Sequence, residues 1–142
     1  MLIFSTSLVL ITVGAFVQNS HFILWGVKPN LVLTAIVALS LFEKDWLRRS
    51  LATLLGTALL ILELTFGFDT VFLLVLFFAA MASVDLLPWR PLLNGTVALT
   101  AATLIINLSG FQLGVFVLEL IYNLVLLLAL FAMFNSWNTR RI

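Results

Sequence analysis

The sequence predicts an all-α polytopic membrane protein, a compact bundle of six transmembrane helices with short loops and both termini cytoplasmic. Three observations carry that expectation. Of 142 residues, 63% are hydrophobic and 9% are charged, against roughly 25% charged in an ordinary soluble domain. Apolar runs of helical length recur between charges and turn residues, and stretches such as 124–134 show none of the apolar–polar alternation of barrel strands. Lys and Arg concentrate in alternate loops.

The composition also excludes whole classes. Seven basic and six acidic side chains cannot clothe a water-soluble surface that must also display 13 Phe and 4 Trp. A net charge of +1 without a basic cluster is not the footprint of a nucleic-acid binder. With no Cys and a single His, neither a disulfide, a thiolate site nor an all-protein zinc or haem site is expected, so no cofactor is assigned. At about 20 residues per span the length holds six or seven helices and no extramembranous domain, which makes 1–142 a single transmembrane domain.

Six segments follow in order: 2–17, 29–42, 51–66, 71–84, 91–108 and 115–134. The first lacks a basic n-region and a small-residue cleavage site, so it is an uncleaved span rather than a signal peptide. The second has 14 residues, about 21 Å of helix. Pro29 suits its first turn, and it is expected to continue past Glu43 and Lys44 toward Trp46, with the charges snorkelling to the interface. A re-entrant segment is the other reading of so short a run. Gly67 is expected to end the third helix and Asp69 or Thr70 to cap the fourth, so that these two form a tight antiparallel hairpin. Pro88-Trp89-Arg90-Pro91 stops one helix and starts the next, although Asn94-Gly95 could delay that start by a turn; Ser109-Gly110 and Gly114 bracket the last loop.

Lys44, Arg48, Arg49, Arg90, Arg140 and Arg141 fall on one side of this arrangement and only Lys28 on the other. Basic residues are retained on the cytoplasmic side, so both termini are expected inside.

That orientation gathers the unusual polar residues at the outer ends of the helices. Gln18, Glu63 and Asn107 close the outward-running segments, while Asn30, Asp69 and Glu119 open the inward-running ones. Glu119, Tyr122 and Asn123 share one helix face at i, i+3 and i+4. A carboxylate facing lipid costs about 2.5–3.5 kcal/mol at the bilayer centre, so Glu63 and Glu119 are expected to face protein or water. These eight residues form either a cup for a partner or ligand, or the polar glue that joins helices. The first outer loop, Gln18 to Lys28, carries Phe22-Ile23-Leu24-Trp25 and is expected to lie on the membrane or over the bundle mouth. His21 reads as a solvated loop residue.

On the inner side, Trp46, Arg48, Arg49 and Arg90 are candidates for contact with anionic headgroups or a cytoplasmic partner; belt anchoring and orientation alone also account for them. Small residues four apart recur at Thr34/Ala38, Ala52/Gly56, Ala79/Ser83 and Ala98/Ala102, spacing that lets helices approach closely. Catalysis is not expected: there is no His-Glu-x-x-His, no Gly-x-Ser-x-Gly, and no helical Asp pair at a shared depth.

Phe16-Val17-Gln18, Gly26-Val27-Lys28-Pro29-Asn30-Leu31-Val32-Leu33 and the run 35–41 resemble the rod shape-determining MreD family: six spans, a Gln closing the first helix, and Lys-Pro-Asn opening the second. Gly56 and Glu63 resemble that family's Gly-Leu-rich helix with its acidic end. The family more often has Asp at a closer spacing there, and Gly67-Phe68-Asp69 replaces its usual Pro-Leu-Gly. The likeness covers the first two thirds of the chain. It implies a non-enzymatic scaffold of the bacterial inner membrane that acts with a bitopic MreC-like protein and cell-wall synthesis proteins. The other class considered is the substrate-binding subunit of energy-coupling-factor vitamin transporters, also six-helix bundles with an outward pocket for a small molecule. Their Ala-x-x-x-Ala coupling pattern is absent from the first helix, which offers Ser5, Ser7, Gly14 and Ala15 without that spacing.

Overall fold

The computed structural model describes residues 2–20, 23, 25–62 and 68–139. They form six α-helices: α1 Leu2–Asn19, α2 Leu31–Phe42, α3 Trp46–Ile61, α4 Phe68–Leu86, α5 Pro91–Asn107 and α6 Leu113–Thr139, with a 3₁₀ turn at Leu108–Gly110 and no strand among the described residues. By length and composition α1, α4, α5 with its 3₁₀ extension, and α6 are each long and apolar enough to cross a membrane.

The shortest helix is the centre of the bundle. Ten of the 12 residues of α2 are buried, on every face, and α2 packs against all five other helices. A helix that is apolar all round must be enclosed by protein or lipid; here protein encloses it. Neighbouring pairs fix the directions. Thr53 meets Met81 and Arg49 meets Asp85, so α3 and α4 are antiparallel, as the hairpin reading expects. Thr103 meets Asn123 and Asn107 meets Glu119, so α5 and α6 are antiparallel too. Asn30 meets Asn123 while Phe42 meets Phe134, so α2 and α6 run in the same direction. Chain direction thus alternates, and the bundle has an amide end, holding Asn30, Asn107 and Asn123, and a charged end, holding Arg48, Arg49 and Asp85.

Several boundaries correct the sequence reading. α2 does not continue through Glu43 and Lys44: Glu43 is extended (φ −91°, ψ 124°), and Asp45 accepts the Leu47 N–H at 3.0 Å to open α3 at Trp46. An Asp gains more as an N-cap than inside a helix, where its side chain competes with the backbone. α3 therefore starts five residues before the expected 51, and Arg48 and Arg49 are helical. Asp69 and Thr70 lie within the first turn of α4 rather than capping it, and Gly67 lies outside the described residues. Pro91 opens α5 without the delay considered at Asn94-Gly95, because the Asn94 side chain is used elsewhere, donating to the Val84 and Leu87 carbonyls at 3.0 and 2.8 Å.

Small residues set the closest approaches. A Cβ on Gly56 would stand 2.8 Å from Val32 Cγ1 and 3.0 Å from Ile11 Cγ2, so this glycine is what lets α3 approach α1 and α2. Ala98 and Ala102 bury on α5, and Thr34 and Ala38 on α2. Ala79 and Ser83 instead line an apolar groove between α4 and α5. α3 is inverted relative to a soluble amphipathic helix. Its buried face carries Arg49, Thr53 and Thr57 beside Ala52, Gly56 and Leu60, and its exposed face Leu47, Leu51, Leu54 and Leu55.

Candidate functional site

The amide end is built around the N-terminus of α2. The first N–H groups of any helix lack intrahelical partners, and here they lie inside the bundle, where an unmatched donor costs about 1–3 kcal/mol. Each is matched. Asn30 Oδ1 accepts the Leu33 N–H at 3.1 Å as a side-chain N-cap, and Gln18 Oε1 on α1 accepts the Val32 N–H at 3.4 Å. The Leu31 N–H reaches the Pro29 carbonyl at 3.2 Å, and the N–H of Asn30 itself donates to Asn123 Oδ1 on α6 at 2.9 Å. Trp25 (φ 50°) and Gly26 (φ 82°) are left-handed, the turn that brings Lys28-Pro29-Asn30 back into the bundle.

The network continues through the other side of the Asn123 amide. Its Nδ2 donates to Thr103 Oγ1 at 3.2 Å and is in hydrogen-bonding contact with Glu119 one turn earlier. Asn107 Nδ2 donates to Glu119 Oε2 at 2.7 Å and to the Thr103 carbonyl at 2.9 Å. Asn123 is fully buried and Glu119 is 7% exposed. No described cation pairs with Glu119; its carboxylate is held by amide donors alone.

Of the eight residues read from the sequence, the structure brings together Gln18, Asn30, Asn107, Glu119 and Asn123. Asp69 is exposed and makes no hydrogen bond to them, and Tyr122 is half-buried beside the network without joining it. Glu63 lies outside the described residues, as do His21, Phe22 and Leu24 of the first loop; Ile23 and Trp25 are exposed. Sequence reasoning missed Thr103, although it lies four residues before Asn107 on the same buried face. It also missed Asn19, whose Nδ2 donates to the Leu59 carbonyl at 3.0 Å and ties α1 to α3.

At the charged end Arg49 is 4% exposed, ion-paired through Nη2 with Asp85, with its guanidinium 5.5 Å from the Trp46 ring centroid. It is an internal strut between α3 and α4. Arg48 pairs with Glu43 at 3.3 Å and Asp45 at 3.4 Å and lies over Phe4. Arg90 and Trp46 are exposed. Phe42 packs on Phe131 and Phe134, which in turn meets Trp137, joining the C-terminal ends of α2 and α6.

Among the described residues no three His, Asp or Glu side chains converge where a metal could sit. The hydrogen bonds at the amide end join α1, α2, α5 and α6. In comparisons with known proteins, no family model, no curated protein and no solved structure matches this chain.

Proposed function

We propose that the chain is a non-enzymatic integral membrane scaffold, six helices crossing the bacterial inner membrane with both termini inside, which serves the cell-wall elongation machinery through a bitopic MreC-type partner. The observation that carries the scaffold reading is the closed network at the amide end. Gln18, Asn30, Thr103, Asn107, Glu119 and Asn123 are engaged with one another and with the N-terminus of α2. A transport subunit would need such groups turned toward an open pocket. The link to cell shape rests on Gln18 and Lys28-Pro29-Asn30, the residues that carry the resemblance to MreD. Lipid placement is supported by α3, which buries Arg49, Thr53 and Thr57 beside Ala52, Gly56 and Leu60 and exposes Leu47, Leu51, Leu54 and Leu55, an arrangement that an apolar surrounding favours. The short α2 fits a spanning bundle because the N–H groups of its first turn are matched within protein.

The test is purification of the tagged protein from its native membrane in mild detergent, followed by mass spectrometry of what accompanies it. Recovery of MreC-like and peptidoglycan-synthesis proteins is the expected result. Recovery of a coupling subunit with ATPases would replace the scaffold by vitamin uptake.

A further inference from the structure

A second polar feature lies at the opposite end of the bundle from the amide network. A cavity of about 190 Å³ opens between the C-terminal ends of α2 and α4 and the N-terminal end of α5. It is smaller than the roughly 300–1,000 Å³ of a drug-sized pocket and holds about six waters' worth of volume at about 30 Å³ each, the scale of a headgroup rather than a whole metabolite. Its lining is unlike that of the apolar grooves elsewhere, for it includes Ser40, Lys44, Asp85 and Asn94 together with Trp89.

Three of these groups have unused capacity. Lys44 is exposed and makes no ion pair, although an acid lines the same cavity. Asp85 gives one oxygen to Arg49 and no hydrogen bond through the other. Asn94 is 5% exposed; both of its amide protons are committed to backbone carbonyls, which fixes the side chain, and its Oδ1 is left without a partner. A buried acceptor without a donor is costly, and this one sits in a residue that lines the cavity. At the rim, α5 begins at Pro91 with no side-chain cap on its first turn, so the positive end of the helix dipole faces this region.

The cavity thus offers a cation and a helix N-terminus for an anion, and a carboxylate for a hydrogen-bond-donating cation. We propose that it is a headgroup site for a zwitterionic phospholipid with a primary ammonium, of the phosphatidylethanolamine type. The phosphodiester faces Lys44 and the start of α5, and the ammonium faces the free oxygen of Asp85. A choline headgroup carries the same charges but has no N–H to donate, and a glycerol headgroup donates but lacks the positive charge, so each satisfies only half of the lining. This inference rests on membrane placement with the charged end at the headgroup layer; it does not depend on the shape-machinery partner.

The test uses the full-length protein in nanodiscs of equal parts phosphatidylethanolamine, phosphatidylcholine and phosphatidylglycerol, with retained lipid counted by native mass spectrometry after transfer to detergent. Phosphatidylethanolamine is expected to be retained about tenfold over either competitor. Lys44→Glu, at an exposed position without a hydrogen bond or ion pair, is expected to abolish that preference with an unchanged melting temperature, and Lys44→Arg to keep it. Equal retention of the three lipids, or a preference untouched by Lys44→Glu, would overturn the proposal. Displacement of the lipid by free phosphoethanolamine at millimolar concentration would reassign the cavity to a soluble ligand. Alkaline carbonate extraction of the cell membranes from which the protein is purified separates these outcomes from a failure of membrane placement itself, which would release the protein.

Discussion

Asn123 Oδ1 accepts the backbone N–H of Asn30 at 2.9 Å, so a side chain of α6 completes the N-terminal cap of α2, 93 residues away in sequence. The same amide donates to Thr103 on α5, and one residue thereby fixes the register of three helices. Asn123→Leu fits by volume but strands the Asn30 N–H and the Thr103 hydroxyl. It is expected to cost about 1–3 kcal/mol, the penalty of an orphaned buried donor, well above the roughly 0.6 kcal/mol typical of a hydrogen bond between membrane helices. Asn123→Asp keeps the acceptor but removes the donor to Thr103 and sets a second buried carboxyl against Glu119, so it should lose at least as much. Thermal unfolding in detergent, read by circular dichroism, ranks the two; equal stability of Asn123→Leu and wild type would remove the cap from the account.

Glu119→Gln separates glue from ligand pocket. Asn107 Nδ2 donates to one carboxylate oxygen at 2.7 Å, and a Gln oxygen can accept the same bond. The variant is expected to fold as wild type and to recover the same partners on purification, whereas Glu119→Leu is expected to lower the unfolding temperature. Loss of partner recovery in the folded Gln variant would show that the charge itself is read by a ligand.

Gly56 and Gly95 differ in what surrounds them. A Cβ at Gly56 meets Val32 and Ile11, both β-branched side chains in the core, at 2.8 and 3.0 Å; at Gly95 it meets only the flexible end of Leu41, at 3.1 Å. Gly56→Ala should therefore cost about 1–3 kcal/mol through overpacking. Gly95→Ala should be near neutral, because a gain of about 0.8–1.0 kcal/mol in helix propensity offsets a small shift of Leu41. The order of the two melting temperatures is the readout.

Asp85→Ala leaves the Arg49 guanidinium buried without its carboxylate. Breaking a fully buried pair costs about 3–5 kcal/mol, but the Asp85 side chain is 39% exposed, and solvent screening brings the expected loss to about 1–2 kcal/mol. The double variant Arg49→Met with Asp85→Ala removes the stranded charge and is expected to be more stable than Asp85→Ala alone. A double variant less stable than either single one would mean that Arg49 is held mainly by Trp46.

The absence of Cys makes topology directly measurable. Ser109→Cys, between α5 and α6, is expected to react with a membrane-impermeant maleimide in intact cells. Asn138→Cys, near the end of α6, should react only after the cells are opened. The reverse pattern would invert the bundle and move the Lys44 cavity to the outer leaflet.

Much of this molecule was legible in the amino-acid order, because lipid-facing helices are specified by composition along the chain, which requires no knowledge of neighbours. The six segments, the punctuation at Pro91 and Gly110, and the gathering of Gln18, Asn30, Asn107, Glu119 and Asn123 at one end follow from apolar runs and alternating direction alone. Where local rules competed, the order of residues was not enough. The helix expected to pass through Glu43 and Lys44 ends at Phe42, since Asp45 caps the next one. Arg49, outwardly a headgroup contact, is turned inward by Asp85, 36 residues on. Only the tertiary structure decided that the shortest helix stands at the centre, that the polar residues of the amide end close on its N-terminus, and that Thr103, Asp85 and Asn94 share sites with them or with Lys44. Each of those relations joins helices far apart in sequence, and hydrogen bonds of that kind depend on rotation and register between helices, which hydropathy does not encode.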